Sequence, residues 1–375
     1  MGSRASKRNT ITVRKKRHLE VCLREKNFRI EDVRGAGFGA IHFVHECLPE
    51  INADGIDTGV EFLGKKLSFP FLISCITGGT LDGSPLNISL AGAAQRARVA
   101  FGLGSMRILF HEPKAYKDFA VRSLAPDVPL LANIGAAQLA EFAPLRILEA
   151  AQSLDADALV VHLNPGQEIA QTGGDVDFRG VMDAISALIE LNRLPIIIKE
   201  TGHGIRPRRA RDLLARGAAW VDLAGAGGTD FLQVELACRE EGSPDQIANP
   251  FASWGLPTAL ILAALRVQRS PGDRREAMPV IASGGLRNGL DLAKSLALGA
   301  GLGGMALPLA RACAERGEEG ITGVLDRIHH ELIMAMFLTG SRTIPSLRRA
   351  DLYYDADFTA LLQGLLAAEE GYAHG

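Results

Sequence analysis

The sequence contains no uninterrupted apolar run of the ~18 residues that a membrane-spanning helix needs, so no membrane span is expected. It opens without the apolar stretch of a secretory signal, and the expected compartment is the cytoplasm. Cysteine is sparse and scattered: Cys22, Cys47, Cys75, Cys238 and Cys313 show no C-x-x-C spacing. That argues against a disulfide framework and a structural zinc site, and the five are read as reduced thiols. Acids are missing from residues 1–17, whose bases are Arg4, Lys7, Arg8, Arg14, Lys15, Lys16 and Arg17. No aromatics interleave these bases, and the rest of the chain is acidic, which speaks against a nucleic-acid surface. A disordered tail or an anion clamp remains open for this arm, which runs into an apparent helical turn at residues 18–23.

What is present is the balance of a globular enzyme, with 375 residues, 47% hydrophobic and 22% charged, and a net charge of −2. From Phe69 onward a rhythm repeats in which a short apolar run ends in small or polar residues and a helical segment follows. Eight runs are predicted as strands: Pro70–Ile76, Val99–Gly104, Pro129–Ile134, Ala158–His162, Pro195–Lys199, Trp220–Ala224, Pro279–Ser283 and Gly301–Met305. They are short and continuously apolar, as strands of a parallel sheet buried on both faces must be. Eight alternating units predict an α/β TIM (β/α)8 barrel, with an open doubly wound sheet as the alternative. Against the open sheet stands the lack of a G-x-G-x-x-G run after the first strand. Residues 1–17 are expected to form a flexible basic arm, 18–345 one barrel domain with a cap over 18–68, and 346–375 a helical tail. The long interval from Gly225 to Met278 predicts an inserted lid or extra helix between strands six and seven. Residues Gly320–Gly340 read as an amphipathic helix, whose adjacent His329 and His330 point different ways and are expected to be structural or superficial.

In a parallel barrel, ligands bind where the strands end. The predicted ends carry Thr77-Gly78, Ser105-Met106-Arg107, Asn133, His162 through Glu168, Lys199, Gly225 through Thr229, Ser283-Gly284-Gly285 and Gly303-Gly304. A packed floor has no use for that series, which places a polar ligand at this edge. The run Ser283 to Gly289 offers backbone N–H groups ahead of a helix, the phosphate cradle that such barrels build after strands seven and eight. Asn133, Thr77, Ser105 and Lys199 suit the edge of a flat polar ring. A ring with a phosphate tail is most simply flavin mononucleotide, FMN, although a lysine at a strand end also suits a Schiff-base nucleophile.

Several stretches carry a family likeness: residues 14–18 (RKKRH), Ile76-Thr77-Gly78-Gly79, Gly104-Ser105-Met106-Arg107, Ala132-Asn133-Ile134-Gly135, His162-Leu163-Asn164-Pro165-Gly166-Gln167-Glu168, Lys199-Glu200-Thr201-Gly202-His203-Gly204, Gly225 to Thr229, Gly255-Leu256-Pro257-Thr258 and the Ser283-Gly284-Gly285 run. In this order they resemble the motifs of the type 2 isopentenyl diphosphate isomerases, over residues 14 to about 345. The resemblance implies reversible interconversion of isopentenyl and dimethylallyl diphosphate with reduced FMN, NAD(P)H serving only to reduce the flavin. It implies that Glu168 holds a Mg²⁺ bound to the substrate diphosphate. Arg14, Lys15, His18, Ser105, Arg107, His162 and Asn164 match substrate-binding positions. Gln167 and His162 match the reacting centre, where Gln167 orients, since an amide is a poor base. The expected FMN contacts are Ile76, Thr77, Gly78, Ser105, Asn133, Lys199, Thr229, Gly284, Gly285, Arg287, Met305 and Ala306. A homo-oligomer is expected. Met106, Ile76 and Asp230-Phe231 depart from the commonest pattern, the last pair bringing a charge and removing an indole beside the flavin. The competing reading is an FMN-dependent oxidoreductase of the hydroxy-acid oxidase type, which has no use for Gln167 and Glu168.

Overall fold

The computed structural model describes Val13 and residues 15–23, 30–31, 34–75, 84–239, 250–269 and 276–371. Arg14, Ile76, Thr77 and Gly78 lie outside them. Three short strands precede the barrel: β1 (Ile41–Phe43), β2 (Val60–Phe62) and β3 (Lys65–Leu67). Eight strands then fall one to each expected segment: β4 (Phe71–Ile73), β5 (Ala100–Gly102), β6 (Leu130–Gly135), β7 (Ala158–Leu163), β8 (Ile196–Glu200), β9 (Trp220–Asp222), β10 (Met278–Ala282) and β11 (Ala300–Met305). Each pairs in parallel with its neighbours, and β11 closes on β4 through Gly303 to Met305 against Phe71 to Ile73. The molecule is therefore a TIM barrel. Its strands are almost wholly buried, which is why they read as unbroken apolar runs.

Most intervals hold the expected helix. Ser84–Ala97, Pro144–Ser153, Val181–Glu190, Pro207–Ala215 and Gly289–Ala297 surround the barrel. Three of these begin at or next to a proline, where the missing N–H costs nothing. Gly299, past the end of Gly289–Ala297, has φ +105°, the left-handed conformation expected of it. Between β5 and β6 the chain makes only 3₁₀ turns, over Met106–Phe110, Pro113–Asp118 and Arg122–Leu124. Among the described residues, the interval between β9 and β10 supplies two helices, Phe231–Arg239 and Thr258–Val267.

The helix expected at Gly320–Gly340 is longer, Leu307–Phe337, and is broken at Arg316 and Gly317. Gly317 has φ +59°, so one sequence-continuous helix bends at a residue that tolerates it. His329 accepts or donates a 2.8 Å hydrogen bond with Thr58 Oγ1 and stacks on Phe69, while His330 is exposed. Both are structural or superficial. Towards the chain end, β12 (Leu352–Tyr354) pairs antiparallel with β1, and helix Ala356–Gly371 follows. No helix among the described residues is long and apolar enough to cross a membrane.

The two mouths of the barrel are built differently. At the N-terminal mouth the β2–β3 hairpin inserts Phe62 and Leu67 into a cluster with Leu72, Ala100, Leu131, Ala158, Ile197, Ile281 and Leu302. Phe62 meets Trp220 edge to face at 4.9 Å. The C-terminal mouth is left open to a cavity.

Candidate active site

That cavity, of about 200 Å³, is lined by the ends of the barrel strands, by Lys15, His18, Leu19 and Cys22 of the N-terminal helix, and by Phe231. Among described residues with predicted roles, Lys15, His18, Ser105, Arg107, Asn133, His162, Asn164, Gln167, Glu168, Lys199, Thr229, Gly284, Gly285, Arg287, Met305 and Ala306 all line it. Segments far apart in sequence are thus brought to one edge by parallel strand order alone.

On one wall the strands place Lys199 beside Asp222 in register on β8 and β9. Lys199 Nζ donates to Asp222 Oδ2 at 2.8 Å and to Ser283 Oγ at 3.2 Å, and Ser283 Oγ donates to the other Asp222 oxygen. All three are buried. A buried ammonium needs such a partner, and the ion pair fixes Lys199 as a positioned cation rather than an amine presented for Schiff-base attack. Asp222 escaped the sequence reading. Its signal was an acid inside the apolar run Trp220 to Ala224, where only a paired carboxylate survives burial.

The glycine cradle is assembled from backbone packed on backbone. Gly284 and Gly285 have φ +93° and +86°. A Cβ on Gly284 would overlap the Gly225 backbone, and one on Gly285 would come within 2.5 Å of Gly227 O and 2.6 Å of Ala36 Cβ. A Cβ on Gly227 would in turn overlap the backbone of Ala36. The segment at Ala36 thus packs directly on this cradle. Arg287 is held over the cradle by Glu31.

The other wall is polar and cationic. Helix Pro165–Ala170 starts directly after β7, so Asn164, Gln167 and Glu168 share one turn. Asn164 Nδ2 donates to Gln167 Oε1 at 3.1 Å and to Glu168 Oε1 at 3.0 Å, and the Asp175 N–H donates to Glu168 Oε2 at 2.9 Å. Gln167 Nε2 donates to Glu235 Oε1 at 3.1 Å, and His18 Nε2 lies 2.9 Å from the same oxygen. Glu235 is buried, on helix Phe231–Arg239. Nothing in its local sequence marked it, because its partners come from distant segments. Lys15 Nζ donates to Ser105 O at 2.8 Å, which seats this part of the basic arm on the cavity. Arg107 reaches Glu141 at 3.3 Å and Asp175 at 3.6 Å.

His162 Nδ1 lies 2.9 Å from Asn133 Oδ1, so with that nitrogen donating, Nε2 is the acceptor. Burial, with the charges of Lys199 and Lys15, pushes this imidazole down from 6.5 to about 4. It is neutral at pH 7 in the absence of an anion. Cys75 also lines the cavity, its thiol pushed up to about 11 chiefly by burial.

Ser74 Oγ, Arg107 Nε, Gln138 Nε2 and Asn164 Oδ1 are buried without a hydrogen-bond partner among the described residues, and all four residues line this cavity. Unsatisfied buried polar atoms cost about 1–3 kcal/mol each, so their gathering here marks a site completed by a polar ligand. A flavin with its phosphate fits: the cradle leaves room only where glycine stands, and Ser74, Asn133 and Lys199 offer donors and acceptors. No group of three or more His, Cys, Asp or Glu suited to a metal occurs among the described residues. One carboxylate, Glu168, nonetheless suits Mg²⁺, which takes few protein ligands when phosphate oxygens supply the rest.

Two departures from the commonest pattern are also explained. Met106 is fully buried in the hydrophobic core and does not line the cavity. Asp230 does not line it either. Its carboxylate accepts the N–H groups of Leu232 and Gln233, capping helix Phe231–Arg239, and Oδ1 lies 3.1 Å from His203 Nε2. Only Phe231 faces the cavity, edge-on to His18 at 6.3 Å.

Residues 135–354 match the family model described as FMN-dependent dehydrogenase. Among solved structures, a flavocytochrome b2 double mutant with sulfite bound is similar at 18% identity and TM-score 0.67, over 90% of this chain and 83% of that one. A mandelate oxidase variant with an FMN monooxide adduct is similar at 16% identity and TM-score 0.59, over 86% and 90%. These show the shared barrel. Closer in sequence, an isopentenyl-diphosphate delta-isomerase of Nostoc sp. is 40% identical over 338 residues, 90% of this chain and 94% of the relative. One from Pyrococcus abyssi is 38% identical over 348 residues, 91% of each. At that identity over nine-tenths of its length, and with the FMN-dependent dehydrogenase model matched over residues 135–354, the chain belongs to the type 2, FMN-dependent isopentenyl-diphosphate delta-isomerase family and is an isomerase.

Proposed function

We propose that the protein interconverts isopentenyl and dimethylallyl diphosphate, with FMN in its reduced form and Mg²⁺ on the diphosphate. The observation that carries this reading is that one cavity holds two separate sets for anions. The glycines at 284 and 285 suit the flavin phosphate, while Lys15, Arg107, His162 and Asn164 suit a second, more highly charged group beside the Glu168 carboxylate. A hydroxy-acid oxidase needs only the first set and a grip for one carboxylate.

Reduced FMN, when bound, supplies acid and base chemistry for moving an allylic proton with no net redox change. The residues do the rest. Lys199, fixed by Asp222 and Ser283, presents a cation beside the ring site. Lys15 and Arg107 neutralise the diphosphate, and Glu168 would hold Mg²⁺ against it. Gln167 is bonded at both ends of its amide, to Asn164 and Glu235, so it orients the reacting carbons without removing a proton. Glu235 accepts from Gln167 and lies against His18, which links the N-terminal helix to that amide. The arm residues Lys15 and His18 close over the anion and exclude water.

The test is an anaerobic assay with FMN, Mg²⁺, isopentenyl diphosphate and a trace of NADPH as reductant. Allylic isomer formed in large excess over NADPH consumed is the expected result. Stoichiometric NADPH loss, or no isomer from flavin-loaded protein, overturns the proposal.

A further inference from the structure

His203 follows β8 in a loop whose backbone is tightly fixed. The Glu200 carboxylate accepts the N–H groups of Gly202, His203 and Gly204, so local backbone bonds fix the direction in which the imidazole leaves the chain. Its side chain is 11% exposed and does not line the cavity. Three other segments press on it. A Cβ on Gly166, in the first turn of helix Pro165–Ala170, would come within 2.6 Å of His203 Cε1 and 2.8 Å of Nδ1. A Cβ on Gly255 would come within 2.7 Å of His203 O, and the Leu256 N–H donates to that oxygen at 2.9 Å. On the third side Asp230 Oδ1 lies 3.1 Å from His203 Nε2 while capping helix Phe231–Arg239.

The imidazole is thus wedged between the first turns of two helices. One carries Gln167 and Glu168, the other Phe231 and Glu235, and Gln167 Nε2 donates to Glu235 Oε1 at 3.1 Å across the cavity edge. A hydrogen bond of that length weakens steeply if either helix shifts by half an ångström. We propose that His203 and Asp230 are a positioning couple that sets the spacing of these two helices, and through it the placement of Gln167 and Glu235 at the reacting edge. Neither residue lines the cavity. The ring fixes the distance to Gly166 by van der Waals contact, and the Asp230 carboxylate lies against that ring at the helix N-terminus where the N-cap bonds form. The catalytic part of this inference rests on the isomerase reading, whereas the mechanical part does not.

The test uses the full-length, FMN-loaded protein with His203→Ala, His203→Gln, Asp230→Ala, Asp230→Asn and the alanine double variant. Hydrogen exchange is read first, because it is independent of the reaction. His203→Ala is expected to raise exchange at least threefold in both residues 165–170 and 231–239, although the substitution lies in neither. Under isomerase assay, kcat is expected to fall at least tenfold with KM for isopentenyl diphosphate within twofold and flavin content unchanged. His203→Gln and Asp230→Asn, which keep a polar contact, should recover part of the loss, and the double variant should be no worse than the poorer single one. Exchange rising only in 231–239 for the Asp230 variants, and in neither helix for His203→Ala, would reduce Asp230 to a cap and overturn the couple. So would a loss confined to KM or to flavin content. If the parent protein shows no isomerisation, the functional reading fails and the exchange data still decide the mechanical claim.

Discussion

The two mouths of this barrel are made by the same eight strands and differ in how their polar groups are satisfied. At the N-terminal mouth a hairpin fills the space with Phe62 and Leu67 against Trp220. The charges there, Lys65, Arg122 and Asp157, close on one another and on the backbone of Val128. At the C-terminal mouth Ser74, Arg107, Gln138 and Asn164 keep polar atoms unpartnered among the described residues. The lesson is one of division of labour: one end contributes stability, the other forgoes some of it and holds polar groups ready for a ligand.

Substitutions that mix these roles test the division. The largest effect is expected from Phe62→Ala, which empties a fully buried ring position and should cost about 3–5 kcal/mol in denaturant unfolding. Turnover per bound flavin should stay unchanged at temperatures where the variant is folded. A matching loss of turnover would mean that the mouths are not independent. Next comes Glu168→Gln at the other end, expected to lower isomerisation about 100-fold, roughly 2.7 kcal/mol, by removing the charge proposed to hold Mg²⁺. The Mg²⁺ concentration giving half activity should rise steeply while FMN stays bound. An unchanged Mg²⁺ dependence would remove the metal from Glu168.

Gly285→Ala comes third. At φ +86° and 2.5 Å from Gly227 O, the added methyl should cost about 1–3 kcal/mol, read as a weaker FMN dissociation constant in a fluorescence titration. The last test concerns His162. Its folded value of about 4 lies below the ordinary 6.5, so between these the unfolded chain binds the proton first. Stability should therefore be fully present above 6.5 and decline as pH falls towards 4. Imidazole NMR should show that titration near 4, moving upwards when inorganic pyrophosphate is added, because a nearby anion favours the cation. No movement with pyrophosphate would take His162 away from the diphosphate.

The barrel was legible because buried parallel strands must be apolar throughout, a pattern Ala158–Val161 and Ile196–Ile198 display without interruption. Asn133, His162 and Lys199 were legible for the complementary reason, as polar groups at the ends of such runs. Relations between distant segments were not. Glu235 gains its meaning from Gln167 and His18, and Asp222 from Lys199 and Ser283. The β2–β3 hairpin was hidden because its turn takes positive φ at Leu63 and Gly64, and leucine there carries no turn signal. β1 and β12 are three residues each, too short for a period of two to register. The Asp230 carboxylate was placed near the flavin by its sequence neighbours, whereas helix capping turns it away from the cavity and into contact with His203.

The cradle joins Ala36, the loop after β9 and the loop after β10, each touching the next through backbone where no methyl group fits. Such a joint cannot form within any half of the barrel. An N-terminal fragment through β7 lacks two of its three parts, and a fragment starting at β8 lacks Ala36. If this joint holds the flavin phosphate as proposed, binding needs the closed chain, and flavin fluorescence quenching during refolding should report the moment of closure rather than the growth of any one strand.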